Sequence, residues 1–115
     1  LVVDDNTDAA ESLSLLLQMN AHEIRTATNG RDALALARDF TPDIAFLDIG
    51  MPGMTGYELA ARLRAMPKLA RTVIVAVTGW GSEEDQQRAR DAGFDHHFTK
   101  PIAAETVSRL LGQLS

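Results

Sequence analysis

The chain has no cysteine among its 115 residues. That excludes disulfides and thiolate-held zinc, and makes a reducing compartment compatible without requiring one. No apolar run approaches the ~20 residues that a membrane-spanning helix needs, and no signal-peptide pattern opens the sequence. Basic residues are outnumbered, 11 Lys and Arg against 16 Asp and Glu, for a formal charge of −5. A surface of that sign is poorly suited to a phosphate backbone, so direct nucleic-acid binding is not expected. Repeats, low-complexity tracts and linker-like stretches are also missing. What is present, 45% hydrophobic and 23% charged residues, suits one globular domain, which at this length buries roughly two-thirds of the surface its unfolded chain exposes.

Apolar, β-prone runs alternate with helical patterns. Strands are expected at Leu1–Asp4, Glu23–Ala27, Asp43–Asp48, Val73–Thr78 and Asp95–Phe98. Helices are expected near Thr7–Asn20, Arg31–Phe40, Gly56–Met66, Glu83–Ala92 and Ala103–Leu114. Ala33, Leu36, Ala37 and Phe40 fall at i, i+3, i+4, i+7, as do Val107, Leu110, Leu111 and Leu114. Thr55 with Glu58 reads as a capping box, and Ser82 with Asp85 as a weaker one. Five strands and five helices in strict alternation indicate an α/β domain with a parallel sheet covered on both faces. Leu1-Val2-Val3 reads as a strand already in progress, so a longer polypeptide with a truncated first strand is expected. The helix Glu83–Ala92 stands apart, because only Ala89 and Ala92 offer apolar surface. It is either a solvated surface helix or one docked weakly enough to shift, with a Glu84–Arg88 pair along it.

The chemistry collects at strand ends. The first run finishes in Asp4-Asp5, the third in Asp48, the fourth in Thr78, and the fifth is followed by Lys100-Pro101. In a parallel sheet these ends share one edge. Three carboxylates there repel one another, by about 4 kcal/mol for two charges ~4 Å apart at an effective dielectric near 20, unless a cation sits among them. Hard oxygen donors without His or Cys favour Mg²⁺. A metal, an ammonium, a hydroxyl and loop N–H groups around a carboxylate nucleophile are what phosphoryl transfer needs.

Taken together, Val2-Val3-Asp4-Asp5-Asn6, Phe46-Leu47-Asp48-Ile49-Gly50-Met51-Pro52-Gly53-Met54-Thr55-Gly56, Val77-Thr78-Gly79 and Lys100-Pro101 resemble a receiver domain of the two-component response-regulator family, over residues 1–115. The resemblance implies a flavodoxin-like (βα)5 fold, a doubly wound parallel five-stranded sheet of strand order 2-1-3-4-5 with its site at the carboxyl edge. It implies that Asp48 is the phosphoacceptor, taking its phosphoryl group from the phosphohistidine of a partner histidine kinase or histidine phosphotransfer domain. Asp5, Asp48 and the backbone carbonyl of Gly50 would ligate Mg²⁺, with Asp4 acting through a water. Thr78 and Lys100 would hold the phosphoryl oxygens, and Pro101, at the rim, follows a peptide bond that is usually cis in the family. The implied protein is a cytoplasmic, bacterial signalling switch that catalyses its own phosphorylation and slow dephosphorylation and is not a turnover enzyme. Its output domain, fused or separate, lies outside this chain, and the segments Thr78–Gly81 and Ala92–His97 most resemble receivers attached to hybrid sensor kinases. Whether the face formed by helix 4, strand 5 and helix 5 makes a weak homodimer is left open.

Some positions depart from the commonest family pattern. Three residues before Lys100, where receivers often carry a switching Tyr or Phe, stands His97. That suggests either a pH-sensitive switch or a satisfied half-buried histidine. His96 is expected to be exposed, and His22 lies far along the chain from the motifs. Gly50 has no side chain to orient a water and Trp80 could cover the site's rim, which together suggest slow self-dephosphorylation. The alternative function is an Mg²⁺-dependent phosphohydrolase working through an aspartyl phosphate. Against it, the chain has no inserted cap segment, and its nucleophile ends the third strand. A flavin-binding module of the same fold is weaker still, since the acids oppose an anionic cofactor.

Overall fold

The computed structural model describes residues 1–18, 24–50, 53–78, 83–99 and 104–112. Strands β1 (Val2–Val3), β2 (Thr26–Ala27), β3 (Ile44–Asp48), β4 (Val73–Thr78) and β5 (His96–Thr99) alternate with helices α1 (Thr7–Gln18), α2 (Gly30–Asp39), α3 (Gly56–Arg64), α4 (Glu83–Ala92) and α5 (Ala104–Gly112). A 3₁₀ turn at Pro67–Leu69 leads from α3 towards β4. The strands pair in parallel in the order β2-β1-β3-β4-β5, the doubly wound arrangement expected from the sequence.

Successive side chains on a strand face opposite sides of the sheet, and here both sides are covered. Ile44 and Phe46 join Val2, Val75 and Val77 against α1 and α5, where Ala10, Leu17, Val107, Leu110 and Leu111 close the layer. Ala45 and Leu47 join Val3, Ile74 and Ala76 against α2, α3 and α4, through Ala33, Ala37, Leu59, Leu63 and Ala89. This double burial is why β3 and β4 read as unbroken apolar runs.

Several boundaries differ from expectation for local reasons. Helix α2 starts at Gly30 because Asn29 caps it: the Asn29 Oδ1 accepts from the Asp32 N–H at 2.8 Å, and its Nδ2 donates to the Asp32 carboxylate at 2.9 Å. Helix α3 stops at Arg64, short of Met66, since Met66 precedes Pro67 and takes an extended backbone (φ −84°, ψ 116°). Its start is as expected, with the Thr55 Oγ1 accepting from the Glu58 N–H at 3.2 Å. Strand β5 begins one residue later than expected, at His96. Helix α4 ends on Gly93 at φ +104°, and the bonds Gly93 N–H to Arg90 O and Phe94 N–H to Ala89 O (3.1 and 3.0 Å) form a Schellman cap. The expected pairings of Ser82 with Asp85 and Glu84 with Arg88, and the tails of α1 and α5 beyond Gln18 and Gly112, lie outside the described residues and side chains.

Candidate phosphoryl-transfer site

In the β1–β3 register, Val2 pairs with Phe46 and Val3 with Leu47. The next residues along are Asp4 and Asp48, so the two acids face each other at the carboxyl edge. Both are nearly buried, at 6% and 8% exposure. Each is fixed by the same local device. The Asp4 Oδ1 accepts from the Asn6 N–H at 2.9 Å, and the Asp48 Oδ1 from the Gly50 N–H at 3.1 Å. These are Asx turns, in which a carboxylate takes the N–H two residues on and so loses rotamer freedom. Asp5, exposed in the turn, completes the group: one carboxylate oxygen from each of Asp4, Asp5 and Asp48 lies within 4.8 Å of the others.

Such a cluster fits a hard cation. The donors are carboxylate oxygens, the set suited to Mg²⁺. The backbone pairing between β3 and β4 runs on past Asp48, with the Ile49 N–H donating to the Val77 carbonyl at 3.3 Å. This brings Thr78, 5% exposed at the end of β4, beside the Asp48 strand end. Lys100, Pro101 and Trp80, and also His22, lie outside the described residues.

His97 sits on β5 opposite Ala76, and Thr78 pairs with Thr99. By alternation His97 and Thr78 therefore share the sheet face that α4 covers. The His97 ring is half-buried. Its Nε2 is shielded from solvent and has no hydrogen-bond partner among the described residues. It lines a cleft of about 260 Å³ with Ala89, Arg90 and Phe94. His96 is half-buried rather than exposed and stacks on Phe98, with ring centroids 6.1 Å apart and planes 14° from parallel.

Three contributors were given no role of their own from the sequence. Asn6 supplies the N–H that fixes Asp4. Its signal was the Asp-x-Asn spacing of an Asx turn. Gly56 lies against the backbone of Asp48 and Ile49, and Tyr57 bridges α3 to α4. Neither of these contacts has a local sequence signature.

A family model for the response regulator receiver domain matches residues 1–111. The chain belongs to that family. Among relatives, this receiver domain is 31% identical to PilH of Pseudomonas aeruginosa over 96% of the chain and 92% of that protein. It is 36% identical to hybrid signal transduction histidine kinase L of Dictyostelium discoideum over 96% of the chain but 7% of that protein. Among solved structures, chemotaxis protein CheY4 of Vibrio cholerae superposes with a TM-score of 0.92 at 32% identity, covering 99% of the receiver domain and 95% of CheY4. The receiver domain is therefore a phosphoacceptor switch of two-component signalling, a class that works with histidine kinases and output domains. The phosphohydrolase alternative finds no support in these matches. Among the described residues, no helix is long and apolar enough to cross a membrane.

Proposed function

We propose that Asp48 accepts a phosphoryl group from the phosphohistidine of a partner kinase or phosphotransfer domain. A carboxylate oxygen of Asp48 bonds to phosphorus while the P–N bond to the donor histidine breaks. Its electron pair leaves with the imidazole, which takes a proton from water, and Asp48 becomes an acyl phosphate. Asp5, Asp48 and the Gly50 carbonyl would hold Mg²⁺, with Asp4 acting through a water. When bound, the ion supplies neutralisation of charge on the phosphoryl oxygens. The Thr78 hydroxyl would take a remaining oxygen, and Lys100 is assigned to the others on the sequence resemblance alone. The observation that supports this reading is the convergence of Asp4, Asp5 and Asp48 within 4.8 Å at one sheet edge, with Asp48 pinned by Gly50.

Phosphorylation adds charge beside Thr78 and draws it inward. His97, on the same face and with a ring nitrogen that has no partner among the described residues, then shifts with α4 and changes what the α4–β5–α5 face can bind. The experiment is intact mass after incubation with Mg²⁺ and acetyl phosphate. A gain of one phosphoryl group in the parent, absent from Asp48→Ala and from an EDTA control, is expected. Uptake by Asp48→Ala equal to the parent would place the acceptor elsewhere.

A further inference from the structure

We propose that the first turn of α3 is a rigid link between the phosphoacceptor loop and α4, and that Tyr57 is the residue through which it grips α4. The inference rests on Asp48 being the phosphoacceptor. It adds a route to α4 that does not pass through Thr78 and His97.

The link begins at Gly56. A Cβ there would lie 2.7 Å from both the Asp48 carbonyl oxygen and the Ile49 Cα, closer than real Cβ contacts come. The Gly56 N–H also donates to the Ile49 carbonyl at 3.1 Å. The α3 helix thus rides directly on the backbone that carries Asp48, with no compliant side chain between them. The next residue, Tyr57, is half-buried. It meets Phe94 edge-on, with centroids 6.3 Å apart and planes at 81°. The Arg88 guanidinium lies over its ring, 4.3 Å from the centroid. Arg88 is in the middle of α4, and Phe94 belongs to its Schellman cap, so one ring holds the helix at two points.

Among the described α4 side chains, Ala89 is buried in the core and Ala92 is partly buried against it. With apolar docking that thin among these side chains, the Tyr57 contacts add a substantial hold on α4, beside the Arg64 bond to the Gly93 carbonyl. A shift of the Asp48 backbone must move Gly56, and Tyr57 moves with it.

The test is hydrogen exchange of residues 86–94 with and without Mg²⁺ and beryllofluoride, a phosphoryl mimic that bonds to a carboxylate. In the parent, binding is expected to change exchange in this segment. Tyr57→Phe, which keeps the ring, should respond like the parent. Tyr57→Leu should bind beryllofluoride within about threefold of the parent yet lose more than half of the response. Arg88→Ala should lose part of it, and the double variant no more than Tyr57→Leu alone. Should Tyr57→Leu fail to fold, Arg88→Ala, an exposed position, decides the question alone. A parent-like response in these variants overturns the link. If the parent does not bind beryllofluoride at all, the reading of Asp48 fails first, and the link falls with it.

Discussion

The carboxylate oxygen of Asp95 that receives the Arg64 guanidinium also accepts the Ile74 N–H, at 2.8 Å. Arg64 donates further to the carbonyls of Gly93 (3.1 Å), Thr72 (2.7 Å) and Leu69 (3.4 Å). One fork at the end of α3 therefore ties together the start of β4, the turn before it and the turn between α4 and β5. The Asp95 side chain is 44% exposed and that of Arg64 25%, so the ion pair by itself adds little. Its bonds to the Gly93 and Thr72 carbonyls matter more, being made in a partly buried place, whereas the Leu69 carbonyl also accepts from the Thr72 N–H at 3.1 Å.

Arg64→Ala is accordingly expected to lower the unfolding free energy by about 2–3 kcal/mol, and Arg64→Lys to recover little of it. A single ammonium cannot match a planar fork that serves four acceptors. Urea denaturation of both variants measures this, and a full recovery by lysine would show that charge alone is at work.

Gly56 and Gly30 make a matched pair. A Cβ at Gly30 would meet Met54 side-chain atoms, the Sδ at 2.5 Å and the Cβ and Cγ at 3.0 Å, whereas one at Gly56 meets backbone at 2.7 Å. Gly30→Ala should therefore cost about 1–2 kcal/mol, less than Gly56→Ala, since the Met54 Sδ can turn aside while its Cβ must give by a few tenths of an ångström. Gly56→Ala should cost about 2–3 kcal/mol, because backbone has to move. Chemical denaturation of the two should rank them in that order.

Mg²⁺ should stabilise the parent by easing repulsion among Asp4, Asp5 and Asp48. At 100 times its dissociation constant the gain would be about 2.7 kcal/mol, or roughly 8–12 °C in melting temperature at this chain length. EDTA should abolish the shift. In Asp48→Asn the metal-free protein should melt higher than the parent, and Mg²⁺ should add much less. A parent whose melting is indifferent to Mg²⁺ would argue against a metal at these acids.

Gly50 is expected to bear on the lifetime of the phosphorylated form. Among the described residues, the Asp48 Oδ1, at 3.9 Å, is the one atom within 4 Å of where its Cβ would be, an ordinary van der Waals distance. Gly50→Asn should leave folding intact and shorten the lifetime several-fold by orienting a water towards phosphorus. Loss of phosphoryl group followed by intact mass gives the answer, and an unchanged lifetime would remove Gly50 from the account.

Much of the site was legible because its parts are local. An acid after an apolar run, an Asp-Asp pair and a Thr ending a strand are visible residue by residue, and β alternation with short turns places them at strand ends. Asn29 was missed as a cap although its spacing to Asp32 is local. The Arg64 fork was not legible at all: its acceptors lie up to 31 residues away, and several are backbone carbonyls, which carry no sequence signal. The same holds for Tyr57, whose partners Arg88 and Phe94 belong to another helix and its cap.

The amino-acid sequence by itself determined the alternation of elements, the double burial of β3 and β4, and the identity of the acids at the carboxyl edge. Those follow from periodicity and from the reach of single residues along a chain. Only the tertiary structure decided that Asp4 faces Asp48, that α3 rests on the Asp48 backbone, and that one tyrosine and one arginine hold α4 and its turn. These depend on strand register and helix packing, where groups far apart in the chain meet across a few ångströms.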